Sequence, residues 1–89
     1  MNSLLYTIAV DKTLNPTAVR VYIFLYEKFI ENTFVIKDHE IAAEMGISIP
    51  SVERAMKSLA DNSYIIRDTI KAYHEIWKNN NMREITLRR

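Results

Sequence analysis

The stretch EIAAEMGISIPSVERAMKSLA (residues 40–60) contains the only glycine of the sequence, Gly46, and a proline four residues later, Pro50. Apolar residues recur at helical spacing on both sides of the glycine, which indicates two helices. Gly46 ends the first helix at low cost, because glycine readily adopts the left-handed conformation. Ser48 is the predicted N-cap of the second helix, where Pro50 occupies the first turn and needs no N–H. The stretch therefore predicts a helix, a tight turn and a second helix.

A longer helix is predicted upstream of this stretch. Asn15 is its expected N-cap and Pro16 its first residue, and the helical pattern continues through Glu31. The apolar positions of this helix cover more than one core-facing stripe. Two alternatives follow: the helix is central to the domain, or part of its surface is buried in a partner.

The other segments predict short strands. LLYTIAV (residues 4–10) is apolar and rich in β-formers, which favours a strand or an extended arm. TFVIK (residues 33–37) predicts one strand, after which Asp38 is the expected cap of the helix that ends at Gly46. YIIRDTI (residues 64–70) and REITLR (residues 83–88) predict a β-hairpin, with a helical conformation for part of residues 70–78 as the alternative. The fold class predicted for residues 1–89 is α+β, mainly α, in a single domain.

Composition excludes several classes of protein. The chain has 89 residues, of which 48% are hydrophobic, so it can form one core without cross-links. The absence of cysteine excludes disulfides and thiolate metal sites. The longest apolar run, VYIFLY (residues 21–26), is far shorter than the roughly 20 residues that span a bilayer, and the first residues do not resemble a signal peptide. The expectation is a soluble, cytoplasmic protein without a membrane partner.

The charge is unevenly distributed along the sequence. The formal net charge is only +1, but residues 1–53 are acidic on balance and residues 54–89 are basic. Such an asymmetry suggests one face that meets an anion such as nucleic acid. A solvated, basic C-terminal half is the plainer alternative.

Enzyme motifs are incomplete in this sequence. HEIAA (residues 39–43) begins like the zinc-protease motif HExxH, but Ala43 stands at the position of the second ligand. His39 and His74 are too sparse to predict a metal site, and a single glycine excludes a phosphate-binding loop. We therefore expect no enzyme, no cofactor, no metal and no small-molecule ligand.

The helix-turn-helix interpretation places specific demands on residues 41–56. A small residue, Ala42, stands where the first helix must approach the second closely, and Gly46 follows four residues later at the turn. Ile41, Val52 and Met56 have the spacing needed to hold the second helix in place. A structural hairpin of helices is the alternative to a DNA-binding motif.

The order of segments and two motifs resemble the winged helix-turn-helix family over nearly the whole chain. The family's first helix often opens with L-[ST]-P-x-A, and here the corresponding residues read Leu14-Asn15-Pro16-Thr17-Ala18, with asparagine at the second position. Residues 41–59 match the pattern IA-x-x-[LM]-G-[IV]-S-x-x-[ST]-V-x-R-A-[LM]-x-x-L. The chain is most similar to the N-terminal domains of plasmid and phage replication initiators and of small regulators. The resemblance implies a three-helix core with a small β-sheet or wing, and binding of double-stranded DNA in transcription, replication or partition.

The resemblance also implies which residues contact DNA. In this family the second helix of the motif enters the major groove. Arg54 is the predicted base contact, with a solvent-facing arginine paired to Glu53 or Asp61 as the alternative. Ile49 and Pro50 depart from the family, which often has a basic or polar residue here, and Ile49 could contact either a thymine methyl or a neighbouring subunit. The predicted DNA-binding residues are Lys37, Ser48, Ile49, Pro50, Ser51, Glu53, Arg54, Lys57, Lys78, Asn80 and Arg83.

Two further predictions concern assembly and function. Tyr22, Phe24 and Tyr26 exceed what one core face of the first long helix uses, so they are predicted at a homodimer interface, with burial inside the domain as the alternative. The alternative function is a winged-helix module that binds other proteins and has no specific DNA site. Salt-dependent binding to duplex DNA separates the two functions.

Overall fold

The protein has an α+β, mainly helical fold. The computed structural model describes residues 4–69 and 82–87. Within these residues the elements follow in the order α1 (Leu4–Ala9), α2 (Pro16–Lys28), β1 (Thr33–Lys37), α3 (Asp38–Met45), α4 (Ile49–Asp61), β2 (Ile65–Thr69) and β3 (Met82–Leu87). Buried residues of the helices and of a three-stranded antiparallel sheet form one hydrophobic core.

Helix α1 contradicts the prediction of a strand or extended arm at residues 4–10. Its inner stripe consists of Leu4, Leu5 and Ile8, a helical spacing, and Ile8 is completely buried in the core. Packing of this stripe against the domain overrides the β-propensity of the individual residues, which is a weak and context-dependent preference. The segment therefore adds a fourth helix to the expected three.

Helix α2 begins as predicted and ends earlier. The Asn15 side chain accepts a 2.7 Å hydrogen bond from the Ala18 N–H, which confirms the N-cap, and Pro16 is the first helical residue. The helix stops at Lys28 and not at Glu31. Phe29 leaves the helix in an extended conformation, and its ring stacks on Phe34 of β1 at 3.8 Å between centroids. Burial of the two rings thus stabilises the exit from the helix.

The start of α3 also differs from the prediction by one residue. Lys37, and not Asp38, is the N-cap, and Asp38 is the first residue of the helix. The Glu40 carboxylate reaches back and accepts a 2.9 Å hydrogen bond from the Lys37 N–H, as in a capping box. Asp38 is itself buried, so its side chain belongs to the interior and not to the surface.

The sheet has the strand order β1-β3-β2, so the last strand in sequence lies at the centre. Ile85 of β3 faces Phe34 of β1 and Arg67 of β2 in the antiparallel register. The hairpin partners predicted after Tyr64 are confirmed as β2 and β3. The conformation predicted for residues 70–78 and the turn at residues 79–81 lie outside the described residues.

The centre of the core corrects one predicted interface residue. Tyr22 has no exposed surface, and its ring centroid lies 6.0 Å from that of Tyr26 and 6.2 Å from that of Tyr64. The prediction that Tyr22 contacts a second subunit is therefore wrong, because the side chain is enclosed by its own domain. Phe24 and Tyr26 are partly buried against the same core.

Candidate nucleic-acid interface

The turn between α3 and α4 is built on Gly46. Its backbone has φ 70° and ψ 35°, the left-handed conformation that was predicted. The Gly46 N–H donates to the Ala42 carbonyl, and the Ile47 N–H donates to the same oxygen at 3.1 Å. A Cβ at Gly46 would meet no atom within 4 Å, so backbone conformation and not space requires glycine here.

The first turn of α4 is organised by two serines. Ser48 is the N-cap, and its hydroxyl accepts a 3.2 Å hydrogen bond from the Ser51 N–H. The two hydroxyl oxygens lie 2.8 Å apart, within hydrogen-bond distance. Arg54, one turn further along, donates to the Ser51 hydroxyl over a longer 3.4 Å. Ser48 and Ser51 therefore begin the helix and also orient the arginine that follows.

The buried side of α4 fixes which residues face outward. Val52, Ala55 and Leu59 are completely buried and Met56 is nearly so. These positions hold one face of the helix against the domain, and the opposite face is solvent-accessible. We call this opposite face the outer face of α4, and it consists of the exposed residues Ile49, Pro50, Glu53, Arg54 and Lys57.

Charges on α4 balance one another. Glu53 and Asp61 accompany Arg54 and Lys57, so the helix carries no net charge. Lys57 forms an ion pair with Asp61 at 2.8 Å, one turn apart on the helix surface. The structure thus pairs Asp61 with Lys57, and not with Arg54 as one alternative predicted. The i, i+4 spacing of Lys57 and Asp61 is a local signal that predicts such a pair.

An ion pair joins α3, the first helix of the motif, to the end of α2. The Lys28 ammonium, at the end of α2, lies 3.0 Å from the Glu44 carboxylate of α3. The same ammonium lies 5.7 Å from the centre of the Phe24 ring, within cation–π range. Both groups of the ion pair are well exposed, so it orients the helix more than it stabilises the fold.

The remaining predicted site residues are distributed around this surface. Lys37 lies at the N-cap of α3, on a different element from the outer face of α4. Lys78 and Asn80 lie outside the described residues, and of Arg83 the structure describes the backbone within β3. The structure thus brings together the predicted contacts from Ser48 to Lys57 and leaves the contacts of the wing as predictions.

A polar cluster that the sequence does not reveal supports the end of α4. The Asp11 carboxylate accepts hydrogen bonds from the Thr13 hydroxyl at 2.6 Å and from the Tyr64 hydroxyl at 2.8 Å. The Thr13 hydroxyl also lies 2.9 Å from the side-chain oxygen of Asn62, the C-cap of α4. Asp11 and Thr13 lie about 50 residues before Asn62 and Tyr64, so no local pattern predicts that the two pairs meet.

Together these features define a class of protein, the winged helix-turn-helix proteins. The chain belongs to the RepL family, described as Firmicute plasmid replication protein, whose family model matches residues 10–80. The match includes α2, α3 and α4, and it confirms the resemblance to plasmid replication initiators. No curated protein and no solved structure matches the chain. In the described parts of the chain, no helix combines the length and hydropathy of a membrane-spanning segment.

Proposed function

We propose that this plasmid replication protein binds double-stranded DNA with a sequence preference and inserts α4 into the major groove. The observation that supports the proposal is the outer face of α4. The five residues of this face are exposed, and the opposite side of the helix is buried in the core. A helix held in this way presents rigid side chains to a groove wide enough to admit it. The proposed action is binding, without a catalytic step.

The residues of this surface have different proposed roles. Arg54 bonds the O6 and N7 atoms of one guanine, the commonest specific contact in the major groove. Its hydrogen bond to Ser51 is long at 3.4 Å, so exchanging it for a base costs little. Ser51 and Lys57 contact phosphates, which fix the position of the helix without reading sequence. Glu53 accepts from a cytosine amino group or orients Arg54.

The charge balance of α4 determines which part of the chain attracts the DNA backbone. Because the helix has no net charge, it contributes little to the general attraction that draws basic proteins to DNA. That attraction comes instead from basic residues elsewhere, and the C-terminal half supplies an excess of them, including Lys78 and Arg83. We retain Lys37, Lys78, Asn80 and Arg83 as proposed backbone or minor-groove contacts.

We further propose that two copies pair around a two-fold axis. Tyr6 in α1, Val10 directly after it and Ile23 in α2 are 67%, 53% and 45% exposed. Helix α1 contains no charged residue, so two copies of α1 can meet without repulsion between like charges of this helix. Phe24 and Tyr26 contribute at the edge, since both are partly buried already. A symmetric dimer implies half-sites spaced about 10 base pairs apart.

The test of DNA binding is a selection of bound duplexes from a random pool, followed by titration of the best sequence at several salt concentrations. We expect affinity to fall steeply with salt and Arg54→Ala to weaken specific binding by about 1–3 kcal/mol, with relaxed preference at one base pair. Arg20→Ala, which removes an exposed arginine from α2, is the matched control and should retain both affinity and preference. Equal binding by parent and Arg54→Ala would contradict the role of the arginine. Absence of salt-dependent duplex binding would favour a protein-interaction module.

A further inference from the structure

The tip of the outer face of α4 is aliphatic. Ile49 is the first residue of the helix and is 42% exposed, and the exposed ring of Pro50 follows it. Single exposed isoleucines are ordinary on protein surfaces, so exposure alone carries no meaning. The position of Ile49 matters more, because the N-terminal part of such a helix is the part that contacts base edges.

The polar groups next to this tip belong to Ser48, Ser51 and Arg54 and contact one another. The Ser48 hydroxyl caps the helix and lies 2.8 Å from the Ser51 hydroxyl, which also accepts from Arg54. The side chains of Ile49 and Pro50 can neither donate nor accept a hydrogen bond. The first two residues of α4 therefore offer a base edge an aliphatic surface and nothing else from their side chains.

The base edges of the major groove offer one aliphatic group. Guanine, cytosine and adenine present donors and acceptors but no methyl group there, whereas thymine adds its C5-methyl. An isoleucine pressed against a donor or acceptor would strip it of water without replacing the hydrogen bond, which is unfavourable. Against a methyl group, the same side chain removes apolar surface from water, which is favourable.

We infer that Ile49 selects thymine at one position of the binding site through contact with the C5-methyl group. The inference rests on the proposed major-groove binding by α4 and adds one specific chemical partner to it. A single buried carbon contributes roughly the free energy of a three- to tenfold change in affinity. Ile49 is thus a specificity-determining residue, and Arg54 determines a different base pair.

Deoxyuridine tests the inference directly, since it keeps the hydrogen-bonding groups of thymine and lacks only the methyl group. In the best selected duplex, each thymine is replaced in turn by deoxyuridine, and binding of the parent chain is measured. We expect one position at which the replacement weakens binding about three- to tenfold. Ile49→Ala should bind the thymine duplex more weakly and should lose the difference between thymine and deoxyuridine at that position.

Ile30→Ala provides the matched control, because Ile30 is 91% exposed and lies outside the helix-turn-helix. It should keep the parent's ratio of thymine to deoxyuridine affinity. If duplexes bind but no replacement matters, or if Ile49→Ala keeps the parent's ratio, the inference is overturned while DNA binding stands. An unchanged ratio together with a smaller mass in light scattering would assign Ile49 to a subunit contact instead. If no duplex binds in a salt-dependent manner, both the inference and the proposed function fail.

Discussion

The hydroxyl of Tyr64 donates a 2.8 Å hydrogen bond to the carboxylate of Asp11. The bond joins the loop between α1 and α2 to the segment that leads from α4 into β2. Tyr64 is buried, and its ring packs edge-on against Tyr22 at the centre of the core. One side chain therefore makes a polar contact with the α1–α2 loop and an aromatic contact in the core.

Acid should weaken this connection. The hydrogen bonds from Thr13 first, and from Tyr64 second, hold the pKa of the Asp11 carboxyl below its ordinary value. A lowered pKa in the folded state stabilises the fold fully at pH above the ordinary value, and this contribution is lost as the pH falls through the lowered pKa. We predict that Tyr64→Phe reduces the free energy of unfolding at pH 7 and that its difference from the parent narrows below about pH 4.

Urea denaturation of the parent and Tyr64→Phe at pH 7 and pH 3 measures this difference. Asp11→Ala, which removes the acceptor, is the partner variant, and adding Tyr64→Phe to it should cause little further loss if the two residues act through one bond. The same loss at both pH values would show that the phenol acts without the carboxylate.

Gly46→Ala should destabilise the domain by about 1 kcal/mol, because a side chain in the left-handed region is strained even where space is open. Ser63, at φ 65°, is a non-glycine residue in the same conformation. Ser63→Gly should therefore change stability by less and in the opposite direction. Chemical denaturation checks both variants, and a stability loss for Ser63→Gly as large as that for Gly46→Ala would refute the explanation from backbone strain.

The ion pair between Lys57 and Asp61 allows a test in two directions. Lys57→Ala should weaken binding to every duplex alike and make the dependence on salt shallower by about one unit of slope. Asp61→Asn should strengthen binding, since it removes a negative charge and releases Lys57 from its 2.8 Å partner. Both variants should retain stability within about 0.5 kcal/mol, because the pair is exposed. Weaker binding by Asp61→Asn would rule out a phosphate contact by Lys57.

The proposed dimer predicts a mass of twice the 10.5 kDa of one chain. Val10→Asp should convert it to monomers in light scattering at micromolar concentration, since a charge in an apolar symmetric interface meets its own copy. Ile30→Asp, at a 91% exposed position after α2, is the control and should keep the parent's mass. A parent of single-chain mass, both free and at one protein per DNA site, would refute pairing.

The helix-turn-helix was predictable because its signals are local. Gly46 and Ser48 are each dictated by the backbone at their own position, one a left-handed turn and the other a cap, and Asn15 caps the preceding α2 in the same way. The outer face of α4 follows from the same stretch, since the spacing of its buried residues determines the opposite side. Signals of this kind need no knowledge of the rest of the fold.

The errors arose where distant residues decide the structure. Helix α1 forms because Ile8 packs against core residues of the other elements, and the residues next to it in sequence do not reveal these contacts. Tyr22 exceeds the core-facing stripe of its own helix, but in the structure its ring packs against Tyr64, which comes from another segment. The stacking of Phe29 on Phe34 likewise shortens α2 through a residue in the next strand. In each example a long-range contact overrides a pattern within one segment.

The central place of β3 in the sheet has a consequence for synthesis of the protein. Thr33 pairs with Thr86, and Ile65 pairs with Leu87. Both outer strands, β1 and β2, therefore form their hydrogen bonds with β3, which is synthesised last of the three. The helix-turn-helix is complete in sequence much earlier. During translation the two helices of the motif are therefore synthesised before the strand that closes the sheet and completes their core.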